Sequence, residues 1–557
     1  MIGWSVRTSS SLLMLSLAFF CSGHLAANTQ TPQDRADPAV VEEELKLDNK
    51  IFDSQPADPL RVKAADPDAA LTRPVLIRDI ELDGVVALPV SAYESATSQY
   101  RDRTLTGSEL QDLATAIAQV ARDAGFGLAS AWIPEQTVQD GRIRIAIDEG
   151  RIDDVRIKGN AADAARPFFA ALATGAPVLT AKLERQLLLA GDLPGVTIVK
   201  PRIERTGGRT LLVMTAVRDA VRGRASVDNW GTSTVGPVRA SIAVDINGLL
   251  ADDDRLTIAG VITPLDPKEF ALARLAYSKA VGAHGTLVTA SGYAARSRPG
   301  GLLSDRGFEG RSLEGSIGIN KALLRSRAAS LWFDGEFAVR DAEQSIRNVE
   351  LRKDRLAVVK TGLVSSLDVA GGTARARLTA SRGLGILDAT RQGDALASRD
   401  DGSAIFTKLE LWGDYDVGLF GPVSLQLQGE GQIASRPLLS SEEMGLGGRY
   451  FLRGYDYREF SGDKGIAGSV ELRFALPDIG GPLRAAQFYG YADAGTVGNY
   501  RDGGGGGSLA SAGGGVRAWL GRNIDASLEI GVPLKQGADA DEDLNPRISF
   551  VIGSRFE

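Results

Sequence analysis

From about Ala220 onward the chain shows no helical period. It reads instead as some sixteen segments in which apolar and polar residues alternate. Among them are GRASVDNWG (223–231), EFALARLAYSKAV (269–281), GSVELRFAL (468–476), AAQFYGYADAGTVG (485–498) and PRISFVIGSRF (546–556). Period-two alternation puts one set of side chains on each face of a β-strand. In the last segment Ile548, Phe550, Ile552 and Phe556 share one parity, and Arg547, Ser549 and Arg555 the other. Val470, Leu472, Phe474 and Leu476 likewise alternate with Ser469, Glu471 and Arg473.

Segments of about ten residues in an even-numbered run suit a membrane-spanning β-barrel. A charge facing lipid at mid-membrane costs about 2–4 kcal/mol, so the polar parity must line the lumen. A soluble sandwich would alternate in the same way, and the N-terminus separates the two. Arg7 precedes a short apolar run, Leu12 to Phe20, and Leu25-Ala26-Ala27 ends it in small residues. This is the pattern of a secretory signal peptide over residues 1–27. The run falls short of the ~20 residues a membrane anchor needs. Phe20 is too bulky to precede a lipidated cysteine.

Cys21, the single cysteine, and His24, one of two histidines, would leave with that segment. His284 in VGAHGT would then be the remaining histidine, read as a turn residue. Ser-His-Asp, Cys-His and multi-histidine metal sites are thereby disfavoured. The charge balance, 63 Lys+Arg against 70 Asp+Glu, carries no nucleic-acid footprint. GGGGGS (503–508) lies between two strands, whereas a phosphate loop needs a following helix, so it reads as a connection.

Residues 28–74 are polar and proline-dotted, and within them VVEEELKLDNKIF (40–52) is either a tether or a helix. Two small α/β units follow, at 75–150 and 151–219. The first opens with the strand VLIRDIELDG (75–84). A helix then begins at Thr106 with a capping box closed by Glu109. Leu110, Leu113, Ala114, Ile117, Val120 and Ala121 form its apolar face, and Gly125 suits its end. GLASAWIPEQ and GRIRIAIDEG complete the unit as strands. The second unit repeats the theme: strand 152–160, helices near 161–172 and 180–190, strands 196–204 and 209–217.

One connection is out of proportion. A hairpin needs about 2–5 residues, yet two strands hold apart GLGGRYFLRGYDYREFSGDKG (445–465). A loop folded back into a polar lumen must carry charge, and it needs glycine where its backbone nears the wall. The whole connection, 440–465, is therefore expected to turn inward with Arg453 near its tip.

This stretch resembles the lid-loop signature of the two-partner secretion transporters of the FhaC/ShlB type, in the superfamily of the barrel-assembly insertases. The family pattern [V/I]-R-G-[Y/F] is matched by Leu452, Arg453, Gly454 and Tyr455, with leucine departing from the β-branched residue. YADAG (491–495) is similar to the family's aromatic-x-Asp-x-Gly strand motif. The resemblance makes Asp493 the inner-wall partner of Arg453, with Gly495 beside it and Gly447, Gly448 and Arg449 supporting the loop. Arg449 and Arg458, on either side of Arg453, are either ordinary surface residues or lining for the conduit. AGFGLASAWIPEQTVQDGRIRIAIDEGRI (124–152) and LLLAGDLPGV (187–196) are similar to parts of the family's two POTRA domains. Residues 40–52 would correspond to its N-terminal plug helix.

The fold class implied is mainly β: a transmembrane barrel of about 16 antiparallel strands over 220–557, preceded by two α/β POTRA domains. The function implied is an outer-membrane pore whose periplasmic POTRA domains recognise an unfolded partner and pass it to the cell surface (type V secretion). The cargo class is a secreted exoprotein with an N-terminal β-helix export domain, of adhesin, cytolysin or haem-binding type. Other implied partners are outer-membrane lipid and the barrel-assembly machinery for the chain's own insertion. No enzyme activity, cofactor or metal is implied. Two further readings stand beside this one: a barrel insertase of the same superfamily, and a passive solute porin.

Overall fold

The structure, a computed structural model of the chain, describes residues 36–46, 61–62, 74–206, 209–232, 234–300, 306–477, 479–500, 506–538 and 544–556. The expected signal peptide, residues 47–52 of the candidate helix, residues 503–505 of the glycine run and Glu557 lie outside these.

Sixteen antiparallel strands close into a barrel. They are β1 (Val221–Asp228), β2 (Arg239–Asn247), β3 (Asp254–Ile262), β4 (Phe270–Val281), β5 (Thr286–Ser297), β6 (Phe308–Arg325), β7 (Ala329–Ile346) and β8 (Val349–Val369), followed by β9 (Gly372–Gly383), β10 (Thr407–Phe420), β11 (Val423–Ala434), β12 (Lys464–Pro477), β13 (Leu483–Gly498), β14 (Gly507–Leu520), β15 (Ile524–Pro533) and β16 (Arg547–Phe556). β16 returns to β1 and closes the ring, with Gly223 opposite Phe556 and Asp228 opposite Val551. Closure removes the unpaired edges that a lipid environment forbids.

The alternation sets the faces as expected. Val470, Leu472 and Phe474 are exposed on the outside, while Ser469 and Glu471 are buried within. β6, β7 and β8 run to 18, 18 and 21 residues. These are longer than the ~9–11 a membrane requires, so they stand clear of the apolar band. His284 is an exposed residue of the turn between β4 and β5.

The first α/β unit differs from expectation at its opening strand. VLIRDIELDG is split at Arg78, whose N–H donates to the Gly141 carbonyl at 2.8 Å. Val75–Ile77 then pairs antiparallel with Arg103–Leu105, and Asp79–Asp83 pairs parallel with Arg142–Asp148. The helix α2 (Gly107–Asp123; α1 is Pro38–Lys46) starts where the capping box places it. The Glu109 N–H donates to Thr106 Oγ1 at 3.3 Å, and the Thr106 N–H donates to Glu109 at 2.8 Å. Its Leu110, Leu113 and Ile117 are fully buried against Ile143, Ile145 and Ile147. Each such side chain contributes about 1.5–3 kcal/mol.

Short helical turns over Val90–Tyr100 carry no sequence signal, and a buried carboxylate organises their approach. Glu149 accepts from the N–H groups of Val86 (2.7 Å), Ala87 and Leu88 (3.1 Å) and from the Tyr93 hydroxyl (2.7 Å). Burial alone would raise its pKa. The hydrogen bonds from Ala87, Tyr93, Val86 and Leu88 outweigh burial and hold it below the usual carboxylate value. A carboxylate with a lowered pKa stabilises the fold fully above its unfolded value, about pH 4.3, and loses that contribution as pH falls through the folded value. Glu149→Ala strands three amides, at about 1–3 kcal/mol each before water reaches them. Amide exchange in residues 86–100 is therefore expected to speed up at pH 7 in the variant, with its pH dependence below 4 flattened. Unchanged protection would refute this account.

In the second unit, α3 (Ala162–Phe169) and α4 (Thr180–Gly191) pack on a four-stranded sheet. Its strand order is Arg61–Val62, Val196–Thr206, Arg209–Arg218, Asp154–Lys158. The edge strand Arg61–Val62 comes from the stretch read as linker and pairs parallel with Val196–Thr206. The unit seats in one barrel mouth. Leu189 shares an apolar cluster with Ala280, Ala322, Trp332 and Val364. Asp192 holds Arg325 by two bonds of 2.8 Å, and Arg185 donates to the Ala322 carbonyl at 3.0 Å.

Candidate functional site: the loop and helix inside the barrel

The connection between β11 and β12 enters the barrel from the mouth opposite the α/β units. It carries a small hairpin, Met444–Leu446 against Phe460–Gly462. Gly447 and Gly448 follow at φ +103° and +101°, a region open to glycine. A side chain on Gly447 would lie 2.0 Å from the Asp456 carbonyl oxygen. Leu452 itself has φ +61°, a strained conformation for leucine, and is fully buried. That strain turns the next residue to the wall.

Arg453 is 6% exposed, and each of its donors is engaged. Nε and Nη2 reach the two oxygens of Asp493 at 3.1 Å each, and the backbone N–H adds a third bond at 3.2 Å. Nη1 donates to Glu471 at 2.8 Å, and Nη2 to Ser469 Oγ at 3.1 Å. Glu529 lies 3.5 Å away. The guanidinium lies over the Tyr491 ring, 3.3 Å from its centroid. Two more arginines share the carboxylates: Arg517 and Arg473 bond Glu471 at 2.7 and 2.6 Å. Tyr489 and Tyr491 donate to Glu529 at 2.7 and 3.2 Å.

The other motif residues bring loop and wall together. A side chain on Gly495 would meet Leu446 and Leu452 at 2.9 and 3.1 Å, so its absence lets the loop's leucines lie on β13. Gly454 passes equally close to Pro533 and Ser511. The Tyr455 hydroxyl reaches the carbonyls of Ala510 (2.8 Å) and Lys535 (2.5 Å). Arg547 ties Asp456 at 2.5 Å. Arg449 lies 5.9 Å from the Tyr450 ring centroid. Arg458 is fully buried and bonds the Ser440 carbonyl at 2.7 Å, which makes it part of the loop's own clasp.

One contributor carried no sequence signal, and another falls within the stretch read as a tether or plug helix. Arg399, from the connection between β9 and β10, binds Asp463 at 2.9 Å and also Glu443, fastening the loop's root. The helix α1 lies in the lumen, with Ala36 and Val41 packed among Phe270, Leu272 and Tyr293. The buried Glu42 pairs with Arg274 of β4. By contrast, Glu471 and Glu529 could have been found as acidic residues on the lumenal parity. Among the described residues no group of three or more His, Cys, Asp or Glu side chains is arranged to hold a metal ion. The lumenal carboxylates face arginines and tyrosines instead.

A family model described as haemolysin secretion/activation protein ShlB/FhaC/HecB matches residues 207–518. The chain belongs to that family. It is accordingly an outer-membrane secretion channel of the two-partner type, in a family of transporters. Residues 75–150 match the ShlB-type POTRA domain. The heme/hemopexin transporter protein HuxB of Haemophilus influenzae (strain 86-028NP) is 23% identical over 407 residues, 70% of this chain and 71% of HuxB. The outer membrane transporter CdiB of Dickeya dadantii (strain 3937) is 23% identical over 502 residues, 84% of this chain and 85% of CdiB. In fold, CdiB from Escherichia coli superposes with a TM-score of 0.72 at 18% identity, covering 95% of this chain and 99% of that one. BamA from Haemophilus ducreyi lacking POTRA domains 1–3 gives 0.52 at 13% identity, covering 87% and 100%.

Proposed function

We propose that this transporter captures an unfolded partner protein in the periplasm and passes it through the barrel to the cell surface. The observation that carries the reading is a lumen filled by two separable elements, α1 and the Arg453 loop. Each is held by buried ion pairs rather than by the barrel's own ladder. A passive porin has no use for such elements, and cargo can pass once they move. With the signal peptide directing export, the two α/β units stand in the periplasm, and the second acts as a POTRA domain like the first. Their sheet edges receive extended cargo by β-augmentation. The parallel pairing of Arg61–Val62 on Val196–Thr206 supports this, because it is an extended segment bound at such an edge. The names of the HuxB and CdiB relatives support a secreted exoprotein as cargo. Folding outside the cell gives the direction.

Deleting Val75 to Ala220 tests the capture step. The truncated barrel is expected to insert in the outer membrane, with heat-modifiable migration on a gel, and to secrete nothing. Full secretion of the partner by that variant would overturn the reading.

A further inference from the structure

The outer wall carries a feature that the transport path does not use. Along β6 the outward positions between Arg311 and Lys321 are Leu313, Gly315, Ile317 and Ile319. Ten residues at about 3.4 Å, tilted by about 40°, rise roughly 25 Å, the height of the apolar band of such barrels. Lys321 marks the boundary beside the second α/β unit, next to Ala322, whose carbonyl Arg185 reaches. Arg311 marks the other.

At that far boundary Arg311 lies directly opposite Arg296 of β5. Both are exposed and point outward. Like charges facing each other on neighbouring strands are destabilising, and the carboxylates nearby offset them only in part. Glu309 is shared between Arg298 at 2.9 Å and Arg311 at 3.5 Å. Glu343, opposite Arg311 on β7, is held by Lys353. Arg296 makes no hydrogen bond or ion pair with any described residue.

We propose that Arg296 and Arg311 clamp a phosphate of an anionic glycolipid in the outer leaflet of the outer membrane. Two guanidinium forks on directly opposed positions of neighbouring strands suit the three oxygens of a phosphate group. The rows below them, Ala290 to Ala294 on β5 and Leu313 to Ile319 on β6, offer the acyl chains an apolar surface. The inference rests on the orientation proposed above, in which the mouth opposite the α/β units faces outward.

Native mass spectrometry of the purified full chain in detergent, with bis-phosphorylated lipid A as probe, tests it. Replacing both arginines (Arg296→Gln with Arg311→Gln) is expected to weaken retention at least about tenfold, since a charge-assisted bond contributes that much. The double lysine variant, Arg296→Lys with Arg311→Lys, keeps the charge and folds at least as readily; it should fall between. Lys321→Gln should bind as the parent does. Dephosphorylated lipid A should bind poorly, and inorganic phosphate should not compete at equal concentration. Equal retention by the glutamine variant, equal binding of the dephosphorylated lipid, or full competition by free phosphate would each overturn the proposal. If Lys321→Gln alone loses the lipid, the orientation is reversed and the clamp falls with it.

Discussion

Arg453→Ala is expected to abolish secretion of the partner while leaving the barrel inserted and abundant. The loss falls mainly on Asp493, which keeps only Ser511 as a side-chain donor, at 3.5 Å. Glu471 retains Arg517 and Arg473, and Glu529 retains its two tyrosines. Breaking a buried pair typically costs about 3–5 kcal/mol, less where water enters. At full value that shifts the balance between docked and undocked loop by roughly 10²–10⁴-fold, and the sixteen-strand ladder is untouched. Arg453→Lys should rescue only in part, because one ammonium cannot serve Asp493 bidentately and reach Glu471 as well. Asp493→Ala should resemble Arg453→Ala, and the double variant should be no worse than either single. The measurement is secreted partner relative to folded barrel in the outer membrane. Normal secretion at normal abundance would remove the functional role of the docked loop. Disappearance of the barrel would show instead that the pair serves folding.

The second large effect concerns α1. Glu42→Lys places an ammonium against Arg274 in a site with no exposure. What then favours docking is the packing of Ala36 and Val41 and the 2.6 Å bond from Ser297 to the Ala36 carbonyl. Removing one partner of a buried pair costs about 3–5 kcal/mol, and opposing like charges cost more. The helix is expected to leave the lumen, raising single-pore conductance in planar bilayers severalfold. Arg274→Glu combined with Glu42→Lys should return conductance toward the parent value, because it restores the pair with reversed polarity. Unchanged conductance in Glu42→Lys would mean that α1 does not obstruct the pore.

Much of this molecule was legible in its sequence. Sixteen strands were expected and sixteen close the barrel, because the membrane enforces alternation one residue at a time. Val470 and Glu471 report their faces without knowledge of any neighbour. The capping box at Thr106 was equally local, since its partners lie three residues apart. The Arg453–Asp493 pairing was suggested by family resemblance, with parity agreeing that Asp493 faces inward. The geometry brings the two side chains into contact.

The remainder depended on residues far apart in sequence. Arg453 meets Glu471 and Glu529 together because β12 and β15 stand near one another across β13 and β14 once the ring closes. Arg399 reaches Asp463 across 64 positions, and Glu42 reaches Arg274 across 232. Glu149 gathers amides some 60 positions upstream. Arg399, Glu42 and Glu149 do not differ in type or local pattern from an ordinary surface charge. Alternation is decided by lipid on one side and water on the other, so single positions reveal it. Which charges become partners is decided by the closure of the ring and the path of the loop through it, and only the folded chain contains either.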